Sequence, residues 1–211
     1  MAGSRQAPDR SRQKARTYNA IVDAAAAELR AGRQPSVADA AAVAGVHRAT
    51  AYRYFPTLDA LLTDAALSVG APDPASVVAG VSPDDPLALM DAGVRAVAEF
   101  SFREEAVFRS IVRLTIDRWF EAQGDPDQAD RGPIRQTRRF GIIDAALAPL
   151  AEALPDAALH RLRMALALVF GAEAVVVTRD VCGLEPDEAT EVMAWAATTL
   201  IRGALTDHDD P

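Results

Sequence analysis

One cysteine, Cys182, is all the chain has, so no disulfide can form within it. The three histidines, His47, His160 and His208, are too scattered to make a metal-ligand set, and no metal site is expected. No run of roughly 18 residues is free of charge, which excludes a membrane-spanning helix. Arg5, Arg10, Arg12, Lys14 and Arg16 near the N-terminus are not followed by the apolar run of a secretion signal, so a cytoplasmic protein with no membrane partner is expected. Strand-like alternation and repeats of 20 to 50 residues are missing, which argues against β and solenoid architectures. Gly-rich phosphate loops, a nucleophile elbow and paired catalytic carboxylates are missing as well, so neither an enzyme nor a cofactor is expected. What the chain does have is alanine, roughly a fifth of its 211 residues, with 50% hydrophobic residues overall. Alanine is the best helix former, and an all-α fold follows.

The net charge of −8 speaks against nucleic acid until it is divided along the chain. Residues 1–55 hold nine basic and four acidic side chains, and the remainder holds thirteen and twenty-six. A basic head on an acidic body is the footprint of a small nucleic-acid-binding module; a solvated basic tail is the plainer alternative.

Helical spacing and stop signals divide the head. Residues 1–14, polar and with Pro8, read as a flexible basic arm, either solvated or reaching into an adjacent minor groove. A first helix from Arg16 to Arg30 carries Ile21, Ala24, Ala25, Glu28 and Leu29 at helical spacing, and Gly32 stops it. Ser36, with Asp39 three residues on, caps a second helix whose inner side is Val37, Ala40, Ala41 and Ala44, ending at Gly45. A third begins near His47 and ends by Phe55, ahead of Pro56. Thr57 caps a fourth, with Asp59 in its first turn and Leu58, Leu61, Leu62 and Ala65 inward; it runs out by Gly70. The segment with Pro72, Pro74, Pro83 and Pro86 connects head to body. The body reads as helices over 85–102, 104–121, 134–153, 156–182 and 186–205, with a mobile loop at 123–133. The expectation is thus about nine helices, with a DNA-binding domain at 15–70 and a second domain at 71–211.

Two short helices meeting at a glycine corner form a helix-turn-helix. The second of them offers Arg48 and Arg53 to base edges or phosphates, and Thr50, Tyr52 and Tyr54 to phosphate oxygens, with His47 at its leading end and Ser36 before the first. Residues 15–66, above all the run from Ser36 to Leu62 with its Ala44-Gly45-Val46 turn, the Thr50-x-Tyr52-x-Tyr54-Phe55 helix and Leu61-Leu62, resemble the DNA-binding head of the tetracycline-repressor (TetR) family. Leu58 departs from that pattern, standing where a phosphate-holding Lys is usual, and Ala51 stands where Leu, Ile or Val is usual. The resemblance implies a homodimeric repressor that a small-molecule effector releases from a double-stranded DNA operator: effector binding in the body moves the fourth helix, and the recognition helices no longer match successive major grooves.

In the body, the resemblance points to an effector pocket among the middle helices, for which Phe108, Val112, Trp119, Phe140 and Phe170 supply apolar area and Arg113, Arg139 and Glu173 fixing contacts; all five apolar residues also suit a plain core. Glu173, with apolar residues around it in sequence, should be partly buried and either paired with Arg109, Arg113, Arg138 or Arg139 or open to a ligand. Ala167, Gly171, Ala174 and Thr178 form a small-residue stripe that, with Met193, Ala197 and Leu200, suits a helical dimer interface; packing within one chain is the alternative. A small-molecule binding protein whose head has lost DNA affinity competes with the regulator.

Overall fold

The computed structural model describes residues 7–68, 72–122 and 139–209. It is all-α: eleven helices and no strand among these residues. The helices are α1 (Ala7–Arg30), α2 (Val37–Val43), α3 (Arg48–Tyr54), α4 (Leu58–Ser68), α5 (Pro74–Val77), α6 (Pro86–Arg103), α7 (Glu105–Ala122), α8 (Arg139–Leu147), α9 (Asp156–Val169), α10 (Ala172–Val176) and α11 (Pro186–Asp209). The chain divides into two compact units, the first gathering α1 to α4 with residues 106–114 of α7, the second the rest.

In the first unit α1 packs on α2 and α4, and α2 on α3. Helices of two turns are unstable alone, so α2 and α3 depend on their caps and on tertiary contact. Ser36 accepts from the Asp39 backbone N–H while the Asp39 carboxylate accepts from the Ser36 backbone, a complete capping box; the Ser36 hydroxyl, which also donates to Asp39, and then the Ser36 backbone N–H hold the Asp39 carboxyl below its usual range. Gly45 takes φ +65°, the left-handed conformation that turns the chain into α3. The inward residues of both helices are small, Ala40, Ala41 and Ala51 all being buried with Phe55, Leu61 and Leu62. Contrary to the expected arm, residues 7–14 continue helix α1; residues 1–6 lie outside the described residues.

Tyr18 joins three elements of this unit. Its ring lies 5.1 Å from that of Phe55 and 6.4 Å from that of Tyr54, and its hydroxyl donates to Asp64 on α4. That hydrogen bond, then burial, then the nearby negative charge push the Tyr18 pKa up to about 12. Because the folded value exceeds the unfolded one near 10, the contribution to stability is whole below pH 10 and is lost as pH rises through about 12. Spectrophotometric titration of the three tyrosines is therefore expected to show one late step that vanishes in Tyr18→Phe. Simultaneous ionisation of all three would refute the tie.

In the second unit α6 packs on α11 and α8, and α9 on α8 and α11. Met90, Val94, Ile143, Leu166, Phe170, Met193 and Ile201 are among its largest fully buried side chains. The helix expected over 156–182 is broken. Phe170 is extended, Gly171 has φ +103°, α10 restarts at Ala172, and residues 177–181 wind as a π turn. The break is held from outside its own sequence. Arg139, the first residue of α8 and itself buried, donates through Nη1 to the carbonyls of Ala167 (2.6 Å) and Phe170 (2.9 Å) and through Nη2 to Glu173. Helix carbonyls that have lost their intrahelical partners thus receive a charged donor. A Cβ on residue 171 would lie 2.8 Å from the Arg139 Cζ, so glycine is needed for space as well as for φ. The helix expected at 134–153 is described from Arg139, as α8 followed by a 3-10 turn over 148–150, and the four-residue α5 occupies part of the expected connection. The expected loop at 123–133 lies outside the described residues.

Candidate nucleic-acid interface

The surface of α3 follows from its seven residues. Ala51 faces the core and is fully buried; Arg48, Ala49, Tyr52 and Arg53 are exposed, and Thr50 is half-buried. The Arg48 guanidinium lies 5.5 Å from the centre of the Tyr52 ring, a cation–π contact that orients a long side chain without using up its hydrogen-bond donors. His47 is exposed and caps α3: its Nδ1 accepts from the Ala49 backbone N–H at 3.3 Å. In the neutral ring the proton then sits on Nε2, which points away from the cap as a donor. Donors dominate this face, as an anionic partner requires.

Three residues near α3 have other work. Ser36 is taken up by the capping box, its hydroxyl also donating to Asp39 at 2.6 Å, so it positions α2 rather than offering a bare hydroxyl. Tyr54 is half-buried with its ring against Tyr18, which makes the ring a wall of the head. Leu58 packs against the head's core, and Thr57 caps α4, its Oγ1 accepting from the Ala60 backbone at 3.2 Å. Comparison with protein-family models, with characterised proteins and with solved structures finds no match for this chain.

The residues put forward for an effector pocket are not gathered in one unit. Phe108, Val112 and Arg113 belong to the α7 segment of the first unit, where Arg113 is exposed and donates to Gln34. In the second unit Phe170 is fully buried core and Phe140 packs on that core beneath the Arg163 guanidinium, 4.2 Å from the ring centre. Trp119 is 50% exposed and meets Phe120 edge-on. Glu173 pairs with Arg139, one of its expected partners, but the burial is reversed: the carboxylate is about half exposed and the guanidinium buried.

The small-residue stripe also changes role. Gly171, Ala174, Thr178, Met193 and Ala197 are buried by their own chain, while Ala167 and Leu200 pack against the same core and stay partly exposed. Exposed apolar residues also occur along α9 to α11: Met164, Leu168, Val177, Val181, Val192 and Trp195, with Leu168 and Val181 78% exposed each. Sequence spacing missed these residues because small residues mark close helix packing whether it lies within a chain or between chains. No group of metal ligands and no membrane-length apolar helix occurs among the described residues.

Proposed function

We propose that the protein is a DNA-binding transcriptional regulator of the kind that the TetR resemblance implies, acting as a homodimer, with α3 as recognition helix. The supporting observation is the α2–turn–α3 unit with Arg48, Tyr52, Arg53 and His47 exposed on one short helix. Such a helix fits the major groove, where Arg is suited to paired contacts with guanine. Two-fold symmetry then calls for a near-palindromic operator. Selection from a randomised duplex library tests this: enrichment of a palindromic sequence is expected, and equal binding to enriched and unselected duplexes at physiological salt would refute it.

The second unit is the proposed seat of dimerisation and of a small-molecule effector that turns the repressor off its operator. An effector acts only through differential affinity for the two states of the dimer; equal affinity shifts nothing. For dimerisation the exposed apolar residues along α9 to α11 replace the small-residue stripe. Leu168→Glu and Trp195→Glu are expected to sediment as monomers at concentrations where the wild type is a dimer, with helicity retained because both residues are exposed. An unchanged dimer in both variants would remove these residues from consideration.

A further inference from the structure

A broken helix leaves carbonyls without their intrahelical donors, and those carbonyls must be served from elsewhere. In an uninterrupted helix the Ala167 carbonyl accepts from the Gly171 backbone N–H and the Phe170 carbonyl from that of Ala174. Phe170, at φ −148° and ψ 161°, opens the first of these rings, and Gly171, at φ +103°, opens the second. The same two carbonyls are the ones that Arg139 Nη1 serves. One guanidinium therefore stands in for two backbone donors, and closing the helix would supply both carbonyls from within.

The sequence suits either course. Residues 156–182 contain no proline, and more than half of them are Ala, Leu, Met, Arg or Glu, the better helix formers. Gly171 takes the right-handed conformation as readily as the left-handed one. A segment whose local preference is one continuous helix, held open by a side chain from another helix, has the makings of a bistable element. The holder is also placed to be moved. Arg139 is the first residue of α8, and two positions on, a Cβ at Gly141 would lie 3.2 Å from Cγ of Pro74, the first residue of α5. The leading turn of α8 thus carries both the latch on α9 and the seat of α5, the first described helix of the second unit.

We propose that residues 167–174 form a two-state segment latched by Arg139: with the guanidinium seated the chain is broken at Phe170 and Gly171, and with it withdrawn α9 and α10 run as one helix. Closure changes the surface as well as the backbone. Leu168 and Val177, both exposed beside the break, are nine residues apart, which in a single helix is about two and a half turns and puts them on opposite sides. With the latch withdrawn, no single flat partner surface can meet both residues.

Backbone ¹³Cα shifts and amide exchange of the full chain test the latch with neither DNA nor effector present, so the outcome is independent of the function proposed for α3. Arg139→Leu removes the donor, and adding Gly171→Ala disfavours the left-handed course. In the double variant the Cα shifts of Phe170 and of residue 171 are expected to move to helical values, and the amides of residues 171 and 174 to exchange more slowly than in the wild type. Arg139→Leu alone, the variant to read if the double one fails to fold, is expected to move the Phe170 shift in the same direction. Glu173→Gln, which leaves Nη1 on both carbonyls, is expected to keep the wild-type shifts. An extended Phe170 in the Arg139→Leu proteins, or closure in Glu173→Gln, would overturn the latch.

Discussion

Gly171→Ala is expected to destabilise the protein by about 3 kcal/mol or more, the sum of backbone strain of about 1–3 kcal/mol and of disturbed charge-assisted hydrogen bonds worth about 1.5–3 kcal/mol each. The new Cβ would meet the Arg139 Cζ at 2.8 Å and its Nε and Nη2 at 3.0 Å. The guanidinium would have to leave the carbonyls of Ala167 and Phe170. The partner variant separates the two costs. In an Arg139→Leu background the collision is absent and only the φ strain remains, so the alanine should cost less there than in the wild type. Denaturant midpoints for the four proteins measure the coupling. Additive costs would mean that Arg139 does not hold the break.

Arg48→Ala and Arg53→Ala are expected to relax base preference, each at one position of the half-site and by about 1–3 kcal/mol of discrimination. Tyr52→Phe should weaken selected and unrelated duplexes alike if its hydroxyl meets phosphate. Because the Arg48 guanidinium stacks on the Tyr52 ring, Tyr52→Ala should act through Arg48 as well, and the pair should be non-additive where Tyr52→Phe is not. Single-base-pair variants of the enriched duplex give the measurement. A uniform loss over all sequences for both Arg variants would make them phosphate contacts and move base readout elsewhere.

The head was legible because its signals are local. The Ser36 and Asp39 capping box, the Gly45 corner and the stop ahead of Pro56 each involve residues a few positions apart, and each is found where the spacing placed it. Leading helix α1 was read too short because charge at residues 10–16 looks like a solvated tail, whereas Arg, Gln, Lys and Ala are all good helix formers. The break at Phe170 and Gly171 was invisible for a different reason. Its cause, Arg139, is 32 positions away from Gly171, and a lone glycine within a helical pattern reads as a tolerated small residue. The same distance explains Glu173: apolar neighbours in sequence do not bury a carboxylate whose partner approaches from another helix on the solvent side.

The division of labour within α3 has a consequence for how such a protein changes its targets. Ala51, fully buried, and the half-buried Tyr54 anchor the helix on its inner side, and the caps come from His47 before it and Phe55 after it. Arg48, Ala49, Tyr52 and Arg53 lie outside the packing. Substitution at those four positions changes what the helix meets while leaving the cavity-forming and cap-breaking penalties of the head untouched. Under the proposed DNA-binding function, recognition can therefore drift among operators at almost no cost in folding, and the four positions form a natural library for retargeting the scaffold.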